Sequence, residues 1–283
     1  MLRKTRNIFV FLGLLIVSIP LFSQQNKDTA KSVVVKHKIL LIPFKTTMLM
    51  SEINKAVNTS THYSYKKIVE SFRYRMDLAL YTTFKQTYST ISLMQEPQKT
   101  DSTINYIYGS IGYQYDLLPG HDTSGESHAE FDPKQQKTHF IHNGQLQVPM
   151  DYSKRFMNVD IVNPQLLINL NKKYGSDIFV FVNEVDIKNV SNNGTEDLTE
   201  SNFRREVIVQ YSVINIQNHY LARGILTTYF PYMDNNPTII GEKYFTVIAQ
   251  SMLKELNKGL QRTQAGKAKK TTTTRLKPLS KTN

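Results

Sequence analysis

The 283-residue chain contains no cysteine. That absence excludes disulfides, thiol nucleophiles, thiolate metal sites and a lipid-anchored cysteine together. Several chemical signatures are missing as well. No G-x-S-x-G, Walker loop or G-x-G-x-x-G occurs, so serine-hydrolase and nucleotide-binding templates lack their first residue. H-E-x-x-H, the tight helical zinc pair, is absent, and no internal repeat is visible. Beyond Leu260 there is no acidic and no aromatic residue.

The formal net charge is +12, which suggests a polyanionic partner until the charges are located. Three basic residues (Arg3, Lys4, Arg6) precede the first apolar run, and seven (Arg262, Lys267, Lys269, Lys270, Arg275, Lys277, Lys281) follow Leu260. Removing these ten from 35 basic residues leaves 25 against 23 acidic ones, so the body carries about +2 and is electrostatically ordinary. The terminal segment has charge to meet phosphate or acidic polymer but no ring to stack on a base. A weak electrostatic contact with an anionic membrane or wall polymer is expected of it, and nucleic acid is not.

The amino terminus has the form of an export signal. Arg3, Lys4 and Arg6 lead into the apolar stretch Ile8 to Ile19, and small Ser23 precedes polar Gln24-Gln25-Asn26-Lys27. An uncleaved anchor is the competing reading, but Ile8 to Phe22 falls short of the roughly 20 residues a full span needs. Residues 1–23 are therefore expected to be a signal peptide, 24–37 a polar segment, 38–260 a single α/β domain and 261–283 a disordered basic tail. An exported domain without disulfides relies on its core, and its 40% hydrophobic content is ample for one.

The core pattern is clearest between His37 and Met94. Ile39 to Phe44 is a continuous apolar run broken by Pro43, as in a strand covered on both faces. From Ser64 to Gln86, Tyr65, Ile68, Val69, Phe72, Met76, Ala79, Leu80 and Phe84 fall on one helical stripe. Thr90 to Met94 returns as a strand, parallel to the first because the crossover is long. Thr46 to Thr61 reads as a loop with Met48-Leu49-Met50 tucked beneath it. Ile104 to Tyr115 reads as a strand, with Gln145 to Pro149 as its partner and a polar insertion at about 116–144 between them.

Asn163 and Pro164 open a short helix carrying Leu166, Leu167 and Leu170, which Gly175 closes. Asp177 to Ile187 is the most apolar strand of the body and belongs at the centre of the sheet. Arg205 to Ile216 and Tyr220 to Phe230 form an antiparallel hairpin. A last amphipathic helix carries Phe245, Ile248, Ala249, Met252, Leu256 and Leu260, with Gly259 and Gly266 bracketing its exit. The expected fold is α/β (α+β): a mixed sheet with an early β-α-β unit, a later antiparallel hairpin, and helices packed on the sheet.

That order, with the phrases Lys38-Ile39-Leu40-Leu41-Ile42-Pro43-Phe44 and Tyr174-Gly175-Ser176-Asp177-Ile178-Phe179-Val180-Phe181-Val182, resembles the small α/β domains of bacterial envelope assembly proteins. These are the TolB amino-terminal domain, the curli secretion protein family and the outer-membrane activators of cell-wall synthases. The likeness covers about residues 38–260. It departs from those families in lacking the lipid-anchor cysteine of several members and in its insertion from Asp116 to Gly144. The resemblance implies a non-catalytic adaptor or assembly factor that contacts an envelope protein in the periplasm or at the outer-membrane periphery of a Gram-negative bacterium. It supplies no site residues and no cofactor.

Three constellations carry possible chemistry. The segment 121–142 holds His121, His128, His139 and His142 with Asp122, Glu126, Glu130 and Asp132, a nitrogen and oxygen donor set suited to zinc or a similar ion. A metal-dependent hydrolase built there is the alternative function; the bland reading is a polar loop that has collected histidine. Ser64-Tyr65-Lys66-Lys67 matches S-x-x-K, but without K-T-G elsewhere Ser64 reads as a helix cap. Glu184 and Asp186 share one side of the central strand as a possible acid-base pair, or as partners of Arg205 or Arg223.

Overall fold

The fold was analysed in a computed structural model that describes residues 37–95, 100–117, 140–142, 145–147, 155–191 and 203–274. Its centre is a six-stranded mixed sheet. Strand β1 (Lys38–Ile42) lies between β3 (Ser89–Ser92) and β8 (Ile178–Ser191) and is parallel to both. Outside β8, β9 (Phe203–Asn215) and β10 (Tyr220–Pro231) continue antiparallel, giving the order β10-β9-β8-β1-β3. A short β2 (Leu49–Ser51) pairs parallel with the far end of β8. The expected α/β fold, the β-α-β unit and the hairpin are all present.

Two hydrophobic cores lie on opposite faces, and strand alternation decides which side chain joins which. Ile39 and Leu41 of β1 face one core, while Leu40 and Ile42 face the other. The run reads as continuously apolar because neither face meets water. The first core is roofed by α2 (Tyr65–Phe84) and α6 (Thr246–Thr274), which pack together. Phe72 and Phe245 meet there at 6.1 Å between ring centroids. Ser64 caps α2 by accepting the amide of Lys67 at 3.3 Å, as the bland reading of S-x-x-K requires.

Helix α6 is preceded by one turn, α5 (Pro237–Ile240), and a π-helical turn from Gly241 to Phe245. It also runs through Gly259, which the sequence reading had placed at its exit, and through the first part of the segment expected to be a tail. A Cβ on Gly259 would stand 1.9 Å from the carbonyl oxygen of Leu221. The glycine is there because the helix lies directly on the backbone of β10, not because the helix stops.

The second core is covered by α3 (Thr100–Ser110), α4 (Leu166–Tyr174) and a two-stranded ribbon of β4 (Ile111–Leu117) and β7 (Arg155–Ile161). Gly175, at φ 68°, ends α4 as expected. Two assignments change here. Ile104 to Ser110 is the second part of a helix where the sequence suggested strand, since Ile104, Ile107 and Ile111 also satisfy helical spacing and isoleucine and tyrosine favour strands only weakly, while Ile111 to Tyr115 is strand as expected. The partner of β4 is β7, not Gln145 to Pro149: β6 (Gln145–Gln147) pairs instead with β5 (Phe140–His142).

The segment read as a loop after β1 holds a 3-10 turn from Thr46 to Met48, then β2 and α1 (Asn54–Thr61). Leu49, Ile53 and Val57 anchor it to the first core. Met50 is 53% exposed, so the expected burial holds for Leu49 and partly for Met48 but not for Met50.

The ribbon meets the main sheet edge-on. Along the free edge of β7, the amide of Met157 donates to Gln210 Oε1 and its carbonyl accepts from Asn183 Nδ2 at 2.8 Å. The amide of Val159 donates to Ser212 Oγ at 3.2 Å, and its carbonyl accepts from the Tyr220 hydroxyl at 2.6 Å. Four side chains from β8, β9 and β10 thus do the work of a missing strand, which accounts for polar residues inside a sheet face. Asn183 reaches this position because β8 bulges between Val182 and Glu184; the extra residue leaves Val182 and Val185 on the same face.

Candidate functional site

Where successive crossovers pass over opposite faces of a sheet and the strand order reverses, a crevice opens at the carboxyl ends of the strands. Here that place is the carboxyl end of β1. The connection to β3 passes through α2 on one face, and the return to β8 passes through α4 on the other. A cleft of about 440 Å³ opens there, lined by Lys45, Thr46, Thr47, Arg73, Ile104, Asn105 and Tyr108.

The lining comes from three elements, each held by backbone. Lys45 follows Pro43-Phe44, and its carbonyl accepts from the amide of Met48 at 2.8 Å, fixing the turn that presents Thr46 and Thr47. Arg73 extends from α2 between buried Phe72 and Met76; its Nε donates to the Phe44 carbonyl at 2.7 Å and its Nη2 to the Tyr108 hydroxyl at 2.8 Å. The Tyr108 hydroxyl in turn donates to the Pro43 carbonyl at 2.7 Å. The Lys45 ammonium sits 5.4 Å from the ring centre of Tyr108 and 5.2 Å from that of Tyr113, within cation-π range of both. Neither cation forms an ion pair among the described residues.

Behind the cleft, one turn along α2 from Arg73, lies Asp77, 2% exposed. Burial raises its carboxyl to about 6, while hydrogen bonds from Ser92 and Gln95 and the charge of Arg73 pull the other way. Ser92 donates to it at 2.5 Å and Gln95 at 3.3 Å. Its second oxygen has no partner among the described residues. Burial also raises the phenols of Tyr108 and Tyr113, so both stay neutral donors at any ordinary pH. The arrangement offers positive charge and hydroxyls at a mouth, with one carboxylate sealed beneath.

Of the histidines singled out in the sequence, His121, His128 and His139 lie outside the described residues, and His142 ends β5 with only its backbone described. Among the described residues no three His, Asp or Glu side chains converge as metal ligands. Glu184 and Asp186 are each held by another neighbour. Glu184 accepts from Gln210 at 2.7 Å, its carboxyl raised first by burial and then by Asp186, while Asp186 is paired with Lys188 at 2.7 Å. Arg205 binds the Asp234 carbonyl and Asn235, and Arg223 pairs with Asp116 at 2.6 Å. Neither arginine serves Glu184 or Asp186.

The cleft residues carry no local motif. The available signal was a cation directly after an apolar strand, at Lys45, and another interrupting the apolar stripe of α2, at Arg73. Among the described residues no helix is long and apolar enough to cross a membrane. No family model matches the chain, and no curated protein matches it. A solved structure similar to it is that of a hypothetical protein from Chlamydia trachomatis, 11% identical, covering 78% of this chain and 98% of that one, with a TM-score of 0.35.

Proposed function

We propose that the protein is exported to the bacterial envelope and acts there as a non-catalytic adaptor or assembly factor, by contact with another envelope protein. The observation that carries this reading is how the polar residues of the body are used. Asn183, Gln210, Ser212 and Tyr220 seat the ribbon, and Glu184, Asp186, Arg205 and Arg223 are each engaged by neighbours. The crevice at the end of β1 offers cations and hydroxyls to a binding partner, and among its described lining residues there is no carboxylate or imidazole to activate a hydroxyl. The signal-like amino terminus and the resemblance to envelope assembly domains support the same reading.

Two measurements test it. Fractionated cells should hold the protein outside the cytoplasm, with an intact mass that begins after Ser23; a cytoplasmic, full-length product overturns the export half. A photo-crosslinking residue at Thr47 should trap a single envelope protein in living cells, with the yield lost in Lys45→Glu. Failure to trap any protein from Thr47, or from positions around the cleft mouth, overturns the adaptor half.

A further inference from the structure

The cleft at the end of β1 is built more fully than a solvated surface requires. We infer that it is a carboxylate site, which takes one acidic side chain of an extended peptide. The inference deepens the adaptor reading and rests on it for the nature of the partner. Three observations carry it.

The donors are preorganised and incompletely used. Arg73 spends Nε on the Phe44 carbonyl and one proton of Nη2 on Tyr108, which fixes the guanidinium plane. Its Nη1 has no hydrogen bond among the described residues. Lys45 is steadied by two aromatic rings, and its ammonium makes no hydrogen bond among the described residues. A pinned guanidinium loses little side-chain freedom when an oxyanion arrives, and its fork matches a carboxylate.

The charge matches a monoanion. Lys45 and Arg73 bring two positive charges, and Asp77 behind Arg73 returns one negative charge when ionised. A carboxylate neutralises what remains, whereas a dianionic phosphate overshoots it. An engaged carboxylate would also be charged on both sides, one oxygen toward each cation, without displacing any bond that holds the site.

The surroundings suit a peptide. Thr46, Thr47 and Asn105 line the mouth with groups that both donate and accept, as a peptide backbone requires, while Ile104 and the face of Tyr108 give it an apolar wall. The volume of about 440 Å³ is in the range of ordinary ligand pockets and admits one residue with its flanking backbone.

The test uses the mature protein, 15N-labelled, at constant ionic strength so that screening does not change along a titration. The probes are sodium acetate, a capped tetrapeptide with a central glutamate, and inorganic phosphate. Acetate and the peptide should each move the amides of Lys45, Thr46, Thr47 and Tyr108 saturably, the peptide more tightly. Lys45→Gln should weaken both at least tenfold; the side chain of this lysine holds no hydrogen bond among the described residues, so the variant should fold normally. The same peptide with glutamine in place of glutamate should not bind. No saturable shift with either carboxylate, equal affinity in Lys45→Gln, or tighter binding of phosphate than of the peptide overturns the inference. The two proposals fail separately. A trapped partner at Thr47 with no carboxylate binding removes the carboxylate site and leaves the adaptor. Carboxylate binding by a cytoplasmic protein does the reverse.

Discussion

The two faces of the main sheet are solved by different physics. Beneath α2 and α6 the packing is mainly apolar, a dry face: Phe72, Phe84, Phe245, Ile248, Met252 and the inward residues of β1, β8 and β9 meet there, with the buried carboxyl of Asp77 set beside Ser92 at the β3 margin. Beneath the ribbon, four hydrogen bonds from Asn183, Gln210, Ser212 and Tyr220 decide where β7 sits. Apolar area is non-directional, so the first face supplies stability and tolerates changes of identity that conserve volume. The second is directional, and its groups are costly when left unpaired, so it supplies position.

The comparison breaks most clearly at Phe72. Phe72→Ala opens a cavity in the dry face and is expected to cost about 3–5 kcal/mol. Urea denaturation should show one cooperative transition at a lower midpoint, with the amides of the ribbon no worse protected than those of α2. Preferential loosening of the ribbon would mean that the faces are not independent.

Asp77 comes next, and its effect depends on pH. Its folded carboxyl titrates at about 6 against an ordinary 3.8, so the native state keeps a proton that the unfolded chain has already released. The contribution to stability is therefore present below 3.8 and is lost as pH rises through about 6. That difference corresponds to about 3 kcal/mol at most. Asp77→Asn should flatten the melting temperature between pH 4 and about 6.5; a slope equal to that of the parent protein places the titration elsewhere.

Gly259 tests closeness instead of area. Gly259→Ala must push α6 off β10, because the new methyl meets a backbone carbonyl that has no rotamer to change. A loss of about 2–3 kcal/mol is expected, read as a lower midpoint in urea. A neutral result would show that the helix is free to lift.

Ser212→Ala should have the smallest global effect, about 1–2 kcal/mol, because it leaves the amide of Val159 and one bond of Asn183 without partners. Its signature is local. Hydrogen exchange should accelerate at Val159 and Met157 while β1 and α2 stay protected, the opposite of the pattern expected for Phe72→Ala.

The apolar stripes and runs of both faces were legible in the sequence and the seat of the ribbon was not, for a physical reason. Burial against a helix stamps a period on the chain, and the stripes of α2 and α6 and the runs of β1 and β8 show it directly. The edge-on seat of β7 stamps nothing periodic: Asn183, Gln210 and Ser212 look like any polar residues of a strand, and the bulge that turns Asn183 inward is invisible until Val182 and Val185 are seen on one face. Helix α3 was missed because its isoleucines fit both periods. Helix α1 was missed because Leu49, Ile53 and Val57 are sparse among polar residues. The candidate site was hidden by distance in the chain, since Lys45, Arg73 and Tyr108 meet only after α2 and α3 have folded to opposite sides of β1.

The seat of the ribbon has a bearing on how this molecule tolerates change. Met157 and Val159 of β7 meet the main sheet through their backbone groups, and Ser212 also donates to Asn158 Oδ1, so the socket of the ribbon is built from side chains of β8, β9 and β10. At Met157 and Val159 one apolar side chain can replace another of like volume without disturbing that seat, because the groups held there are a backbone amide and carbonyl.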